Sequence, residues 1–84
     1  MVSSYFIEEV TMTKLEGHGC QGRTMVRQQN SVDGAIASCK RNPACVAVYD
    51  RYCKGHIGQV CLKLDSGNEI TANGGSSCVY KKGN

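Results

Sequence analysis

Six cysteines in a chain of 84 residues, at positions 20, 39, 45, 53, 61 and 78, constrain this protein more than any other feature. A chain this short buries a smaller share of its surface than a larger domain does, so its hydrophobic core alone is marginal. The aromatic supply is thin, with one Phe, four Tyr and no Trp, and ten glycines indicate many turns. Cross-links are the usual remedy, and they persist where the compartment is oxidising. The even count therefore points to a disulfide framework and to an extracellular or secretory-pathway setting. Each bridge contributes about 2 to 4 kcal/mol by loop closure, and such sums approach the whole stability of a small domain. Full reduction is expected to unfold the chain.

The length allows a single domain over residues 1–84. The net charge is +3, from 10 Lys and Arg against 7 Asp and Glu. The basic residues are scattered from Lys14 to Lys82 and do not form the stripe of a nucleic-acid binder, so no nucleic-acid partner is expected. No apolar run approaches the roughly 18 residues of a membrane span, so no membrane insertion is expected. Glu8 and Glu9 stand where a signal peptide carries its apolar stretch, so the chain is expected to hold no signal peptide even though its cysteines place it outside the cell. There is no Asn-x-Ser/Thr sequon for N-glycosylation.

The clearest local element is a helix over residues 32–41. Ser31 is a good N-cap, and Asp33 places a negative charge at the positive end of the helix dipole. Val32, Ala35, Ile36 and Cys39 recur at helical spacing and make one apolar stripe. Lys40 and Arg41 close the helix, and Asn42-Pro43 stops it. Strands are read over residues 5–15, 45–49, 60–64 and 77–81, with a further short one over 24–26. In the strand over 45–49, Val46 and Val48 share one face and Ala47 and Tyr49 the other. Residues 17–22, 54–58 and 65–68 read as turns or loops, and 70–76 as irregular. One helix among short strands is an α+β arrangement, an antiparallel sheet with the helix packed on one face.

The segment from Ser31 to Tyr49 resembles the helix–strand core of PAN/apple domains, which show a helix ending in Cys, a short turn containing Pro, then Cys and an alternating strand. Here the turn is Cys39-Lys40-Arg41-Asn42-Pro43-Ala44-Cys45. Cys61-Leu62-Lys63-Leu64 is similar to the family's "Cys, one residue, Leu" strand, and residues 78–82 to its closing strand, so the resemblance spans residues 20–82. It implies a small disulfide-rich α+β domain. One departure matters: the family carries a second helical Cys, bonded to the Cys-x-Leu strand, and that position here is Ala35. The resemblance implies Cys39–Cys45 as the helix-to-strand bridge and Cys20–Cys78 as the terminal staple. Cys61, without its helical partner, is then expected to close a hairpin with Cys53. A nested alternative, Cys39–Cys61 with Cys45–Cys53, stays open at this point. On the first pairing, Cys20–Cys78 is the bridge with the largest effect on stability.

Gly17-His18-Gly19-Cys20-Gln21-Gly22 matches the G-x-G-x-x-G string, but the chain is too short for the βαβ domain that gives this string its meaning. A turn beside a cystine is the expectation. His18 with Cys20, and Cys53 with His56, offer zinc-ligand types at spacing that fits structural zinc sites poorly. No nucleophile–base–orienter set accompanies the two histidines, so the chain reads as a non-enzyme without cofactors. The best binding candidates are Arg51, Tyr52, Lys54 and His56, in a polar segment held at Cys53. Arg and Tyr are types enriched at contact hot spots, and they also suit stacking on a sugar. Arg23, Arg27, Lys40 and Arg41 form a second, weaker basic group.

The resemblance implies an extracellular recognition or adhesion module whose partner is a protein or a glycan, the latter in lectin-like fashion. The alternative is a stand-alone secreted effector on the same scaffold: a toxin, an antimicrobial or anti-haemostatic protein, or a protease inhibitor, although an inhibitor needs a rigid exposed loop and the candidate over 54–59 is Gly-rich and expected to be mobile.

Overall fold

The computed structural model describes residues 10–21, 31–65 and 67–83. It is a small disulfide-rich α+β domain. Strand β1 (Met12–Glu16) is followed by β2 (His18–Cys20), helix α1 (Val32–Arg41), β3 (Cys45–Asp50), β4 (Gly58–Leu62), β5 (Ile70–Ala72) and β6 (Cys78–Lys82). An antiparallel four-stranded sheet has the order β1-β6-β3-β4, and β2 pairs with β5 in a separate two-stranded ribbon. Among the described residues no helix is long and apolar enough to cross a membrane. The strand expected over 24–26 and residues 5–9 of the first expected strand lie outside the described residues.

The helix has the bounds that its local signals dictate. The Gly34 N–H donates to Ser31 Oγ at 3.1 Å, which satisfies one of the first-turn donors. Asp33 lies in the first turn, with Lys40 and Arg41 in the last. At the other end Lys82, arriving from β6, donates its ammonium to the carbonyl oxygens of Cys39 (2.8 Å) and Asn42 (3.0 Å). The orphan carbonyls of a helix C-terminus are thereby met by a cation, the sign that the helix dipole favours there.

Two apolar clusters lie on opposite faces of the four-stranded sheet. Val32, Ala35 and Cys39 of the helix pack on Cys45, Val48 and Val60, with Ile36, Met12, Leu62 and Tyr80 around them. On the other face Ala47, Cys61 and Val79 meet Cys20, Val46, Tyr49 and Ile70, which brings the β2–β5 ribbon against the sheet. Strict alternation would put Val46 with Val48. The register between β3 and β4 shifts between Cys45 and Ala47, and this irregularity turns Val46 to the same side as Ala47 and Tyr49.

Gly58 sits where the start of the helix crosses β4. A Cβ there would lie 2.8 Å from Val32 Cα, 3.0 Å from Ala35 Cβ and 3.2 Å from Val48 Cγ1. Gly58→Ala is therefore expected to destabilise by about 1 to 3 kcal/mol through overpacking, read as a lower urea midpoint with an unchanged slope. An unchanged midpoint would mean that the helix is not seated on β4 at this distance.

The disulfides are Cys20–Cys61, Cys39–Cys45 and Cys53–Cys78. The helix-to-strand bridge stands where it was expected. The other two expected pairs, Cys20–Cys78 and Cys53–Cys61, are replaced, and the nested alternative does not occur. The strand register gives the reason. The β3–β4 hairpin opens at the Asp50–Gly58 pair, whereas Cys61 lies opposite Ala47, farther down the strand. With a rise of about 3.3 Å per residue, Cys61 is about 10 Å from the hairpin mouth, beyond the Cα separation of about 7 Å that a disulfide tolerates. Cys61 faces the ribbon, where Cys20 meets it with a Cα separation of 6.4 Å. Cys78 lies opposite Asp50 at the hairpin mouth, and Cys53 is 5.2 Å from it between Cα atoms.

The ribbon corrects two further expectations. Residues 18–20 are a strand and not a turn, and 70–72 are its partner strand within a segment expected to be irregular. Local signals are weak in this Gly-rich stretch, so tertiary bonds order it. Ser77 Oγ donates to the His18 carbonyl (2.7 Å) and accepts from Asn73 Nδ2 (3.1 Å). The Gly17 carbonyl accepts from the N–H groups of Asn73 (2.8 Å) and Gly74 (3.1 Å).

Candidate functional site

The hairpin loop between β3 and β4 carries the candidate site. Asp50 ends β3 as a charged residue only 2% exposed, and its carboxylate Oδ2 accepts the Gly55 N–H at 3.0 Å. The Asp50 carbonyl accepts from the Cys53 N–H at 3.2 Å, closing a tight turn. Cys53 adopts φ 58 and Gly55 φ 82, so the chain reverses twice through the left-handed region within a few residues. Glycine adopts that conformation freely, whereas for a cysteine it must be held by its surroundings. Here the bond to Cys78 holds it. The Gly55 carbonyl also approaches the N–H of Val32, the first helical residue, at 3.5 Å. The loop was expected to be mobile because of its glycines; the disulfide, the buried carboxylate and the start of the helix brace it instead.

This bracing shapes a cavity of about 440 Å³ lined by Arg51, Tyr52, Lys54 and His56 together with Asp50, Ile57 and Gln59. All four residues singled out from the sequence therefore line one cavity. The volume falls within the range of about 300 to 1,000 Å³ usual for small-ligand sites. The Arg51 guanidinium lies over the Tyr52 ring, 5.3 Å from its centroid. Tyr52 and Ile57, 60% and 52% exposed, are the exposed large hydrophobic residues among those described.

Ile57 and Gln59 are additions to the candidate site, while Asp50 opens the polar segment that runs to His56. Asp50 has a sequence signal, a carboxylate that ends an apolar alternation just before a turn. Nothing local marks Ile57, whose exposure follows from the path of the loop. Of the second basic group, Lys40 and Arg41 are exposed on the last turn of the helix, while Arg23 and Arg27 lie outside the described residues.

All six cysteines are paired, which removes the thiolates that the zinc readings at Cys20 and Cys53 require. His18 lies on β2, its Nδ1 2.9 Å from the Glu16 carbonyl oxygen. Asp50, Cys53 and Cys78 place donor atoms within 4.8 Å of one another, but the two sulfurs are bonded to each other.

No protein-family model, curated protein sequence or solved structure matches this chain. Three disulfides in so small a domain are typical of extracellular proteins.

Proposed function

We propose that this chain is a secreted, non-enzymatic recognition module of PAN/apple type that binds a protein or glycan through the cavity of the β3–β4 loop. The observation that carries this reading is the loop itself. A buried carboxylate and a disulfide fix its backbone, while Arg51, Tyr52, Lys54 and His56 are exposed around a cavity of about 440 Å³. Preorganisation of this kind lowers the entropic cost of binding. The helix, the Pro-containing turn and the Cys39–Cys45 bridge support the PAN/apple type. The inhibitor version of the effector reading has less support, because φ 58 at Cys53 and φ 82 at Gly55 interrupt the extended backbone that adds as a strand to a partner.

The oxidised protein is to be screened on a glycan array and against extracellular-matrix proteins, and the hits re-measured with Arg51→Ala/Tyr52→Ala. Both side chains are exposed, so the melting temperature should move little. Binding should weaken by about tenfold or more, as expected for hot-spot types. Full binding by the double variant would remove the loop from consideration.

A further inference from the structure

The charge and shape of the cavity narrow the ligand class, on the premise that the loop is the recognition site. We infer that the cavity takes an acidic peptide segment of a protein partner. A carboxylate would meet Arg51 and Lys54, and a neighbouring apolar side chain would rest against Tyr52 and Ile57.

Arg51 and Lys54 are both exposed, and among the described residues neither is in an ion pair; the recorded pair is Lys14–Glu16 on β1. The one carboxylate of the cavity, Asp50, is buried and turned to the Gly55 N–H. The side presented to solvent is therefore cationic. The Arg51 guanidinium lies over the Tyr52 ring, 5.3 Å from its centroid, and a guanidinium can grip a carboxylate with two parallel hydrogen bonds. The exposed apolar side chains Tyr52 and Ile57 both line this cavity and offer apolar surface to a ligand beside the cations.

A long polyanion is a poorer fit. The loop contacts the first residue of α1, whereas Lys40 and Arg41 stand in its last turn. The helix is about 15 Å long, so these two groups of described cations stand at opposite ends of it. A neutral sugar would leave Arg51 and Lys54 without a charge of opposite sign.

The test is an amide chemical-shift titration of the ¹⁵N-labelled protein with its disulfides intact. Three probes are compared up to millimolar concentration: the N-acetylated, C-amidated tetrapeptide Phe-Asp-Leu-Glu, its uncharged counterpart Phe-Asn-Leu-Gln, and a heparin-derived sulfated disaccharide. The expected result is shifts concentrated at residues 50–59 with the acidic peptide. Affinity should be at least about tenfold weaker with the uncharged one, and the shifts should vanish in Arg51→Ala/Lys54→Ala. Equal responses to the two peptides, or a response to the disaccharide alone, would overturn the acidic-peptide class while leaving the cavity as a binding site. Silence of residues 50–59 toward all three probes would overturn the class and the recognition reading together.

Discussion

Replacing Cys20 and Cys61 together with alanine is expected to lower the unfolding free energy by about 4 kcal/mol, the largest loss of the three bridges. The two cysteines are 41 residues apart in sequence, against 25 for Cys53–Cys78 and 6 for Cys39–Cys45. Loop closure gives about 3.5 kcal/mol for the second and about 2 kcal/mol for the third. The Cys20–Cys61 bond also joins the β2–β5 ribbon to the sheet, and Cys61 is fully buried between them. Its removal therefore loosens a core contact as well as lengthening the free chain. Urea unfolding of the three double-alanine variants checks the order. Three equal losses would mean that the unfolded chain is not what these bonds restrain. A non-reduced digest supplies the companion result: a fragment linking Cys20 to Cys61. A fragment linking Cys20 to Cys78 would overturn the ribbon's placement on the sheet.

Cys53→Ala/Cys78→Ala is expected to lower stability by about 3.5 kcal/mol and, in addition, to unmake the site. The bond is what ties the turn after β3 to β6, with Cys53 in a left-handed conformation that a non-glycine residue leaves when released. Loss of the bond leaves the hydrogen bonds from the N–H groups of Gly55 and residue 53 to Asp50 as the loop's own restraints. Amide exchange at Gly55 should then accelerate far more than at Val48 in the core. Binding of any ligand of the cavity should fall by about tenfold, since preorganisation is lost. Exchange at Gly55 that rises only as much as at Val48 would show that the loop's hydrogen bonds hold it without the disulfide.

Much of the scaffold is legible from local chemistry. The helix over Val32–Arg41 needs no distant partner to be read, because Ser31, the apolar stripe and Asn42-Pro43 are all neighbours in sequence. The strands around Val46–Tyr49, Val60–Leu62 and Val79–Tyr80 follow from composition, although the bulge in β3 moves Val46 to a face that alternation does not assign. The cavity is legible as a cluster of residue types, since Arg51, Tyr52, Lys54 and His56 lie within six consecutive positions. What shapes it is less so. Asp50 braces the loop because it is buried, and burial is set by the strands on either side of it.

By itself the sequence determines an oxidised, stapled α+β scaffold, its helix to the residue, and a polar loop rich in contact-forming types. Those features depend on composition, on spacing within a few residues, and on the parity of the cysteines. The tertiary structure alone decides which cysteines meet, that residues 18–20 and 70–72 pair as strands, and that Gly58 must lack a side chain. Each of these depends on atoms brought together from distant parts of the chain. A disulfide needs two Cα atoms within about 7 Å, and strand register, not spacing along the chain, brings Cys20 to Cys61 and Cys53 to Cys78.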